Sequence, residues 1–251
     1  MTLTPDKTLS VERLKSLGVH LQQSGDFSGA EKVYRRALSS YADDPELLSN
    51  LGMLQIDRGH LAEAIRLIEN AAIVAPHDPE IAHNLANAYA TAGESAKALS
   101  TYQKVLTMAP DHYGAWNNMG LLVKQRGDSQ AAETCFRRCL AIDPLLPEAH
   151  ANLAALLFEG EDYAAAETTI REGIQNSPRS SELFYNLGNI LKAAASYPRA
   201  LEAFAKAIEL DPRYAEAHWN KALTHLALGD YKDGWRSFEW RLRKADWANY
   251  Y

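Results

Sequence analysis

The sequence repeats itself with a period of 34 residues, seven times in phase. The repeats start at Val11, Pro45, Pro79, Tyr113, Pro147, Ser181 and Ala215. A fixed period of this length is typical of an array of similar units, each of which packs only against its neighbours. The period predicts an N-terminal extension at 1–10, seven repeats over 11–248, and an end at 249–251 that we expect to be truncated.

Four positions, counted from each repeat start, indicate what one unit is. Positions 8 and 20 are always Gly or Ala, and position 24 is a large side chain, mostly aromatic. Two antiparallel helices approach closely only where both carry small residues, and a large neighbour then fills the space beside the crossing. Position 32 is proline in five repeats, which ends the second helix. The unit is therefore predicted to be helix, turn, helix.

This pattern is similar to the tetratricopeptide repeat (TPR). The resemblance is clearest between Tyr113 and Pro144, where Trp116, Ala132 and Phe136 stand at the expected places. It extends over about 11–248 and implies an all-α, right-handed α-solenoid of seven helix-turn-helix units.

Position 6 carries asparagine in every repeat from the second onwards. We call these residues the asparagine ladder: Asn50, Asn84, Asn118, Asn152, Asn186 and Asn220. At 100° per residue, positions 2, 5, 6, 9, 12 and 13 share one side of the first helix, which in this family lines a concave groove. An amide offers donors and an acceptor, so the ladder can pair with the backbone of an extended peptide. The alternative is that these amides only join neighbouring helices.

Other groove positions differ from repeat to repeat, as residues that select among peptides would. Unconstrained residues would vary in the same way. The candidates are His83, Asn117, Tyr185 and Trp219 at position 5, Asn87 and Asn189 at position 9, and Lys124 and Lys192 at position 12.

Two features resemble the repeat arms of glycosyltransferases. The ladder context, as in Asn84-Leu85-Ala86, is similar to that of O-linked N-acetylglucosamine transferases, whose ladder holds extended substrate polypeptide. The segment from Gly234 to Trp240 is similar to the last repeat of bacterial proteins in which the array runs into a glycosyltransferase domain. The resemblance implies an alternative function as the substrate-recognition arm of a larger enzyme, with a C-terminal catalytic domain as its partner.

Aromatic residues are concentrated at the C-terminal end. Trp235, Phe238, Trp240 and Trp247 fall within the last 17 residues. The last unit of an array has no neighbour to cover its face, so these rings are expected to form a docking face for another protein or a second copy. A self-assembling structural array is a weaker alternative, and inward packing of the rings is another.

The charge balance and the motifs exclude several classes of function. With 26 Lys and Arg against 32 Asp and Glu, the net charge of −6 has the wrong sign for holding nucleic acid or an anionic membrane. The sequence has no phosphate-binding or dinucleotide-binding loop, no His-Glu-x-x-His helix and no zinc-type cysteine pair. We therefore expect a non-enzymatic chain with no catalytic residue, no cofactor and no metal.

The cysteines and two histidines are given structural roles. Cys135 and Cys139 lie four apart on one predicted helix, where a disulfide is not favoured, which suggests a cytoplasmic protein. Cys139 is expected to be buried and Cys135 to lie on the outer part of that helix. His150 and His218 fall at position 4, which faces the core, so a packing role is expected for both.

Overall fold

A computed structural model describes residues 10–238 and 240. These residues form seven helix-turn-helix pairs, which confirms the predicted fold class. The helices are α1 (Val11–Gln23), α2 (Phe27–Ser40), α3 (Pro45–Asp57), α4 (Leu61–Val74), α5 (Pro79–Thr91), α6 (Ser95–Met108), α7 (Tyr113–Gln125), α8 (Ser129–Ile142), α9 (Pro147–Glu159), α10 (Tyr163–Asn176), α11 (Ser181–Ala193), α12 (Tyr197–Leu210), α13 (Ala215–Ala227) and α14 (Tyr231–Phe238). Each odd-numbered helix begins at a start of the 34-residue period.

Local sequence explains where these helices begin. Asp44 and Asp78 each precede a proline at the first helical position, and their carboxylates accept backbone N–H groups of α3 and α5. The carboxylates of Asp128 and Asp162 cap α8 and α10 in the same way. An aspartate cap satisfies N–H groups that have no partner within the helix, and proline loses nothing at a position where its missing N–H would be unpaired.

Small residues at position 8 are needed because the large residue at position 24 lies against them. A Cβ atom added to Gly18 would lie 2.2 Å from the Tyr34 ring, and one added to Gly188 would lie 2.4 Å from Phe204. Both rings are fully buried. The two helices of a repeat therefore cross at this contact, as the sequence predicted.

The chain divides into two compact units, one up to Leu122 and one from Val123. In the first unit α3 packs beside both α1 and α5, and in the second α11 packs beside both α9 and α13. Each unit has its own buried clusters of side chains. This arrangement places position 6 of one odd-numbered helix next to the preceding odd-numbered helix.

One sequence expectation about the cysteines is wrong. Cys135 is not on the outer part of α8 but is only 4% exposed, and Cys139 is fully buried, as expected. Both thiols are free. Position 23 of this repeat faces the core together with positions 20, 24 and 27, because the buried side of α8 is wider than one line of residues. Within the described part of the chain, every helix is too short or too polar to span a bilayer.

Candidate functional site on the odd-numbered helices

The six ladder asparagines are all half-buried, and three of them have printed partners on the preceding odd-numbered helix. In the first unit, Asn118 on α7 donates from Nδ2 to Asn87 Oδ1 on α5, at 2.9 Å. The same Nδ2 lies 3.2 Å from His83 Nε2. Asn118 Oδ1 accepts a hydrogen bond from Asn117 Nδ2 at 3.3 Å. The amide of Asn118 is therefore fully occupied by neighbouring side chains.

The same arrangement occurs in the second unit. Asn220 on α13 donates from Nδ2 to Asn189 Oδ1 at 3.0 Å and to Tyr185 Oη at 3.1 Å, both on α11. Asn220 Oδ1 accepts from Lys192 Nζ at 3.4 Å. The predicted groove residues of two successive repeats thus form one hydrogen-bonded cluster, and position 9 decides its geometry.

The remaining ladder residues differ in how much of the amide is engaged. Asn84 donates to Ser49 Oγ at 3.0 Å. Asn152 is half-buried on α9. Asn50 and Asn186 make no hydrogen bond to any described residue, since the preceding repeats offer no amide or hydroxyl at positions 5 and 9 there. The interhelical role that the sequence left open is therefore observed for Asn84, Asn118 and Asn220, whereas Asn50 and Asn186 keep their amides for other partners.

Other groove residues are also engaged within their units. Lys124 Nζ binds Glu159 Oε1 at 2.8 Å, in a pair whose carboxylate is exposed. Burial lowers the pKa of Lys192. The ring of Tyr185 packs against Tyr214, with 4.9 Å between centroids. These contacts explain why the positions differ between repeats, because each residue fits a particular neighbour.

The C-terminal aromatic residues are only partly exposed. Phe238 packs against Trp219, with 4.8 Å between ring centroids, and against Trp235, with 5.0 Å between centroids. Trp240 stacks on His218 at 3.7 Å. Trp235 itself is 58% exposed. The structure thus joins the predicted groove residue Trp219 to the predicted docking face, while Trp247 lies outside the described residues.

Rings at position 4 close the junctions between repeats. His150 Nε2 lies 2.9 Å from the carbonyl oxygen of Pro144, and His218 Nε2 lies 3.1 Å from that of Pro212. Trp116 Nε1 donates to the Pro110 carbonyl at 2.9 Å. The packing role predicted for the two histidines is confirmed, and it includes a hydrogen bond to the carbonyl of the proline that ends the previous repeat.

A group of potential metal ligands in the first unit was missed by the sequence reasoning, which expected no metal site. Glu80, His83 and His112 each place one ligand atom within 4.8 Å of the others. The imidazole rings of the two histidines have centroids 4.5 Å apart. Burial and the neighbouring His112 lower the pKa of His83 to about 4, so its ring is neutral at neutral pH. A signal was present, since Glu80 and His83 lie three apart on one helix face.

Three family models match the sequence. Two describe a tetratricopeptide repeat and match residues 21–88 and 185–234. The third describes the middle TPR-like domain of cilia and flagella-associated protein 70 and matches residues 82–183. The chain is a tetratricopeptide repeat protein. No curated protein sequence matches it.

Solved structures of other TPR proteins share the fold of this TPR chain. A tetratricopeptide repeat protein from Parabacteroides merdae is 24% identical, with a TM-score of 0.68 and 91% of both chains covered. The pilF protein of Pseudomonas aeruginosa is 16% identical, with a TM-score of 0.71, 85% of this chain and 97% of that chain covered. YrrB, described as a TPR protein with an unusual peptide-binding site, is 19% identical, with a TM-score of 0.56, 70% of this chain and 91% of that chain covered.

Proposed function

We propose that this TPR protein is a non-enzymatic scaffold that binds an extended polypeptide along its odd-numbered helices, through the asparagine ladder. The TPR fold supports a role in protein–protein interaction, and one structural neighbour is described by its peptide-binding site. The observation that carries the proposal is the ladder itself, six half-buried amides at one position of successive repeats. Amides pair with the peptide backbone whatever the side chains of the peptide are.

The hydrogen bonds divide the work within the ladder. Asn118 and Asn220 hold neighbouring helices in place, so their contribution to binding is indirect. Asn50 and Asn186 keep free amide groups on the same side of their helices, so they are the direct contacts to a peptide backbone. Tyr185 and Trp219 supply ring surface beside them, and Lys192 supplies a positive charge.

The test uses a labelled polypeptide that cannot fold, such as a reduced and carboxymethylated protein, as the probe for backbone recognition. Replacing Asn50→Ala and Asn186→Ala together should weaken binding in fluorescence anisotropy by about tenfold, the loss expected for one or two hydrogen bonds. The control is Asn70→Ala, an exposed asparagine on α4. Unchanged affinity in the double variant, with intact helicity, would exclude the ladder as the binding surface.

A second candidate is the substrate-recognition arm of a larger glycosyltransferase. Its support is the sequence similarity of the ladder and of the segment from Gly234 to Trp240 to such arms. This candidate predicts sugar transfer to a polypeptide only when a catalytic domain follows the array. Measuring the mass of the native protein by immunoblot distinguishes the two candidates, because a free scaffold gives a band near 27.9 kDa and an arm gives a much larger one.

Self-assembly through the C-terminal face is a third candidate, supported by the exposed ring of Trp235. It predicts a mass in light scattering that rises with concentration and falls when Trp235 is replaced by alanine. The acidic net charge supports the expectation that neither nucleic acid nor a membrane is a main partner. The cytoplasmic location stays a prediction.

A further inference from the structure

We propose that Glu80, His83 and His112 form a binding site for a divalent transition metal ion, with Zn²⁺ as the best match. The ligands come from two neighbouring segments of the first unit, the start of α5 and the residue before α7. The site is independent of the peptide-binding proposal, since its ligands are side chains that the ladder does not use directly, apart from His83.

The distances suit a tetrahedral ion. Ligand atoms about 2.0–2.1 Å from a zinc ion are separated from one another by roughly 3.4 Å in a tetrahedron. Glu80 Oε1 and His112 Nε2 are 3.4 Å apart. All three ligand atoms lie within 4.8 Å of one another, so a modest contraction completes the set. The Glu80 side chain is 74% exposed and can rotate toward the imidazole rings without disturbing the core.

His112 provides a second, independent observation. Its Nε2 is buried and has no hydrogen-bond partner among the described residues. A buried polar atom without a partner costs free energy, and unexplained cases call for a missing ion or water. The ring cannot turn freely, because Nδ1 accepts a hydrogen bond from the backbone N–H of Ala115 at 3.1 Å. The unsatisfied nitrogen is therefore held in place beside the Glu80 carboxylate.

The proton balance of binding can be stated for each ligand. Neutral His112 carries its proton on Nε2, because Nδ1 accepts from Ala115. When Nε2 binds the ion, this proton moves to Nδ1, and the Ala115 N–H keeps its bond to the His112 carbonyl oxygen at 3.1 Å. Glu80 binds as the ionised carboxylate, and His83 binds through a lone pair of its neutral ring. No net proton is released, and the lost contact limits the affinity.

The donor set selects the class of ion. Two imidazole nitrogens and one carboxylate oxygen suit Zn²⁺, Co²⁺ or Ni²⁺, whereas Ca²⁺ and Mg²⁺ prefer sites made of oxygen alone. Three protein ligands leave the fourth tetrahedral position for water or for a group from a bound partner. The ion would also link α5 to the start of α7, so binding is expected to stabilise the first unit.

The test is a titration of the full chain with Co²⁺, which shows visible d–d absorption bands in tetrahedral coordination. We expect saturation at one ion per chain, displacement of the bands by Zn²⁺, and a rise in melting temperature with Zn²⁺ but not with Mg²⁺. Glu80→Gln and His112→Ala should each weaken Co²⁺ binding by about tenfold or more.

The control is His77→Ala, an exposed histidine in the preceding turn, which should leave the titration unchanged. Glu80→Gln keeps the experiment decisive if His112→Ala does not fold, since Glu80 is mostly exposed. The absence of tetrahedral bands in the wild-type chain would overturn the proposal, as would bands of equal affinity in Glu80→Gln.

Discussion

The side-chain amide of Asn118 donates a hydrogen bond to the amide oxygen of Asn87, 2.9 Å away and 31 residues earlier in the chain. Asn220 and Asn189 make the same bond with the same separation in sequence. In both cases the second amide hydrogen points to the residue at position 5 of the earlier repeat. An asparagine at position 9 therefore converts the next ladder asparagine into a fastening between helices.

This division gives a stability prediction. Asn118→Ala leaves Asn87 without one of its partners in a half-buried environment, which should destabilise the protein by about 1–2 kcal/mol. Asn50→Ala removes an amide that bonds no described residue, so the change should stay within about 0.5 kcal/mol. Urea unfolding followed by circular dichroism measures both, and equal costs would contradict the division.

The crossing of the two helices in a repeat gives a packing prediction. In Gly188→Ala the new Cβ would lie 2.4 Å from the buried ring of Phe204, so the helices must separate. Overpacking of this kind should destabilise the protein by about 1–3 kcal/mol. The double variant with Phe204→Leu should recover part of the loss, because the two residues contact each other. Full additivity in the thermal melts would argue against that contact.

A cluster around Glu31 predicts how stability depends on pH. The hydrogen bond from Arg35, helped by Gln55 and Arg58, lowers the pKa of Glu31 to about 2. Because the folded pKa lies below the ordinary value, the stabilisation is present above about pH 4.5 and is lost as the pH falls toward 2.

The measurement compares melting temperatures of the wild type and Glu31→Gln between pH 6 and pH 2.5. The wild type should be more stable at pH 6, and the difference should shrink as the carboxylate becomes protonated. Glu133→Gln, which breaks only a pair with Arg137 within α8, serves as the control. A difference that does not change with pH would show that the charge of Glu31 is not involved.

The two thiols should be unreactive in the folded protein. Burial, with help from nearby carboxylates, raises the pKa of both Cys135 and Cys139 to about 11. Since the thiolate is the reactive form, an aromatic disulfide reagent at pH 8 should label neither cysteine in the native chain and both in denaturant. Rapid labelling without denaturant would mean that α8 opens locally.

The sequence was sufficient for the fold because each structural requirement recurs at a fixed place. A small residue at position 8, a large one at position 24 and a proline at position 32 fix the crossing and the end of the second helix in repeat after repeat. The ladder could also be located by counting. Its hydrogen bonds could not be, since they depend on how neighbouring helices are offset, which no single repeat encodes.

The metal-ligand cluster was missed for a related reason. His83 belongs to a position on a helix, but His112 lies in the turn before α7, outside the columns used to define the groove. Twenty-nine residues separate the two histidines in sequence. Their proximity arises only when α7 packs beside α5, so a residue at position 34 has to be compared with the repeat that it closes.

The rings at position 4 also bear on how the array would respond to a pulling force. Trp116, His150 and His218 each hold the carbonyl of the proline that ends the repeat before them. The residues at the same position of the second, third and sixth repeats, Leu48, Ala82 and Phe184, have no ring nitrogen. Under tension applied along the chain, the junctions without this clasp would be the weakest links, so the array would lengthen in steps rather than tear at random.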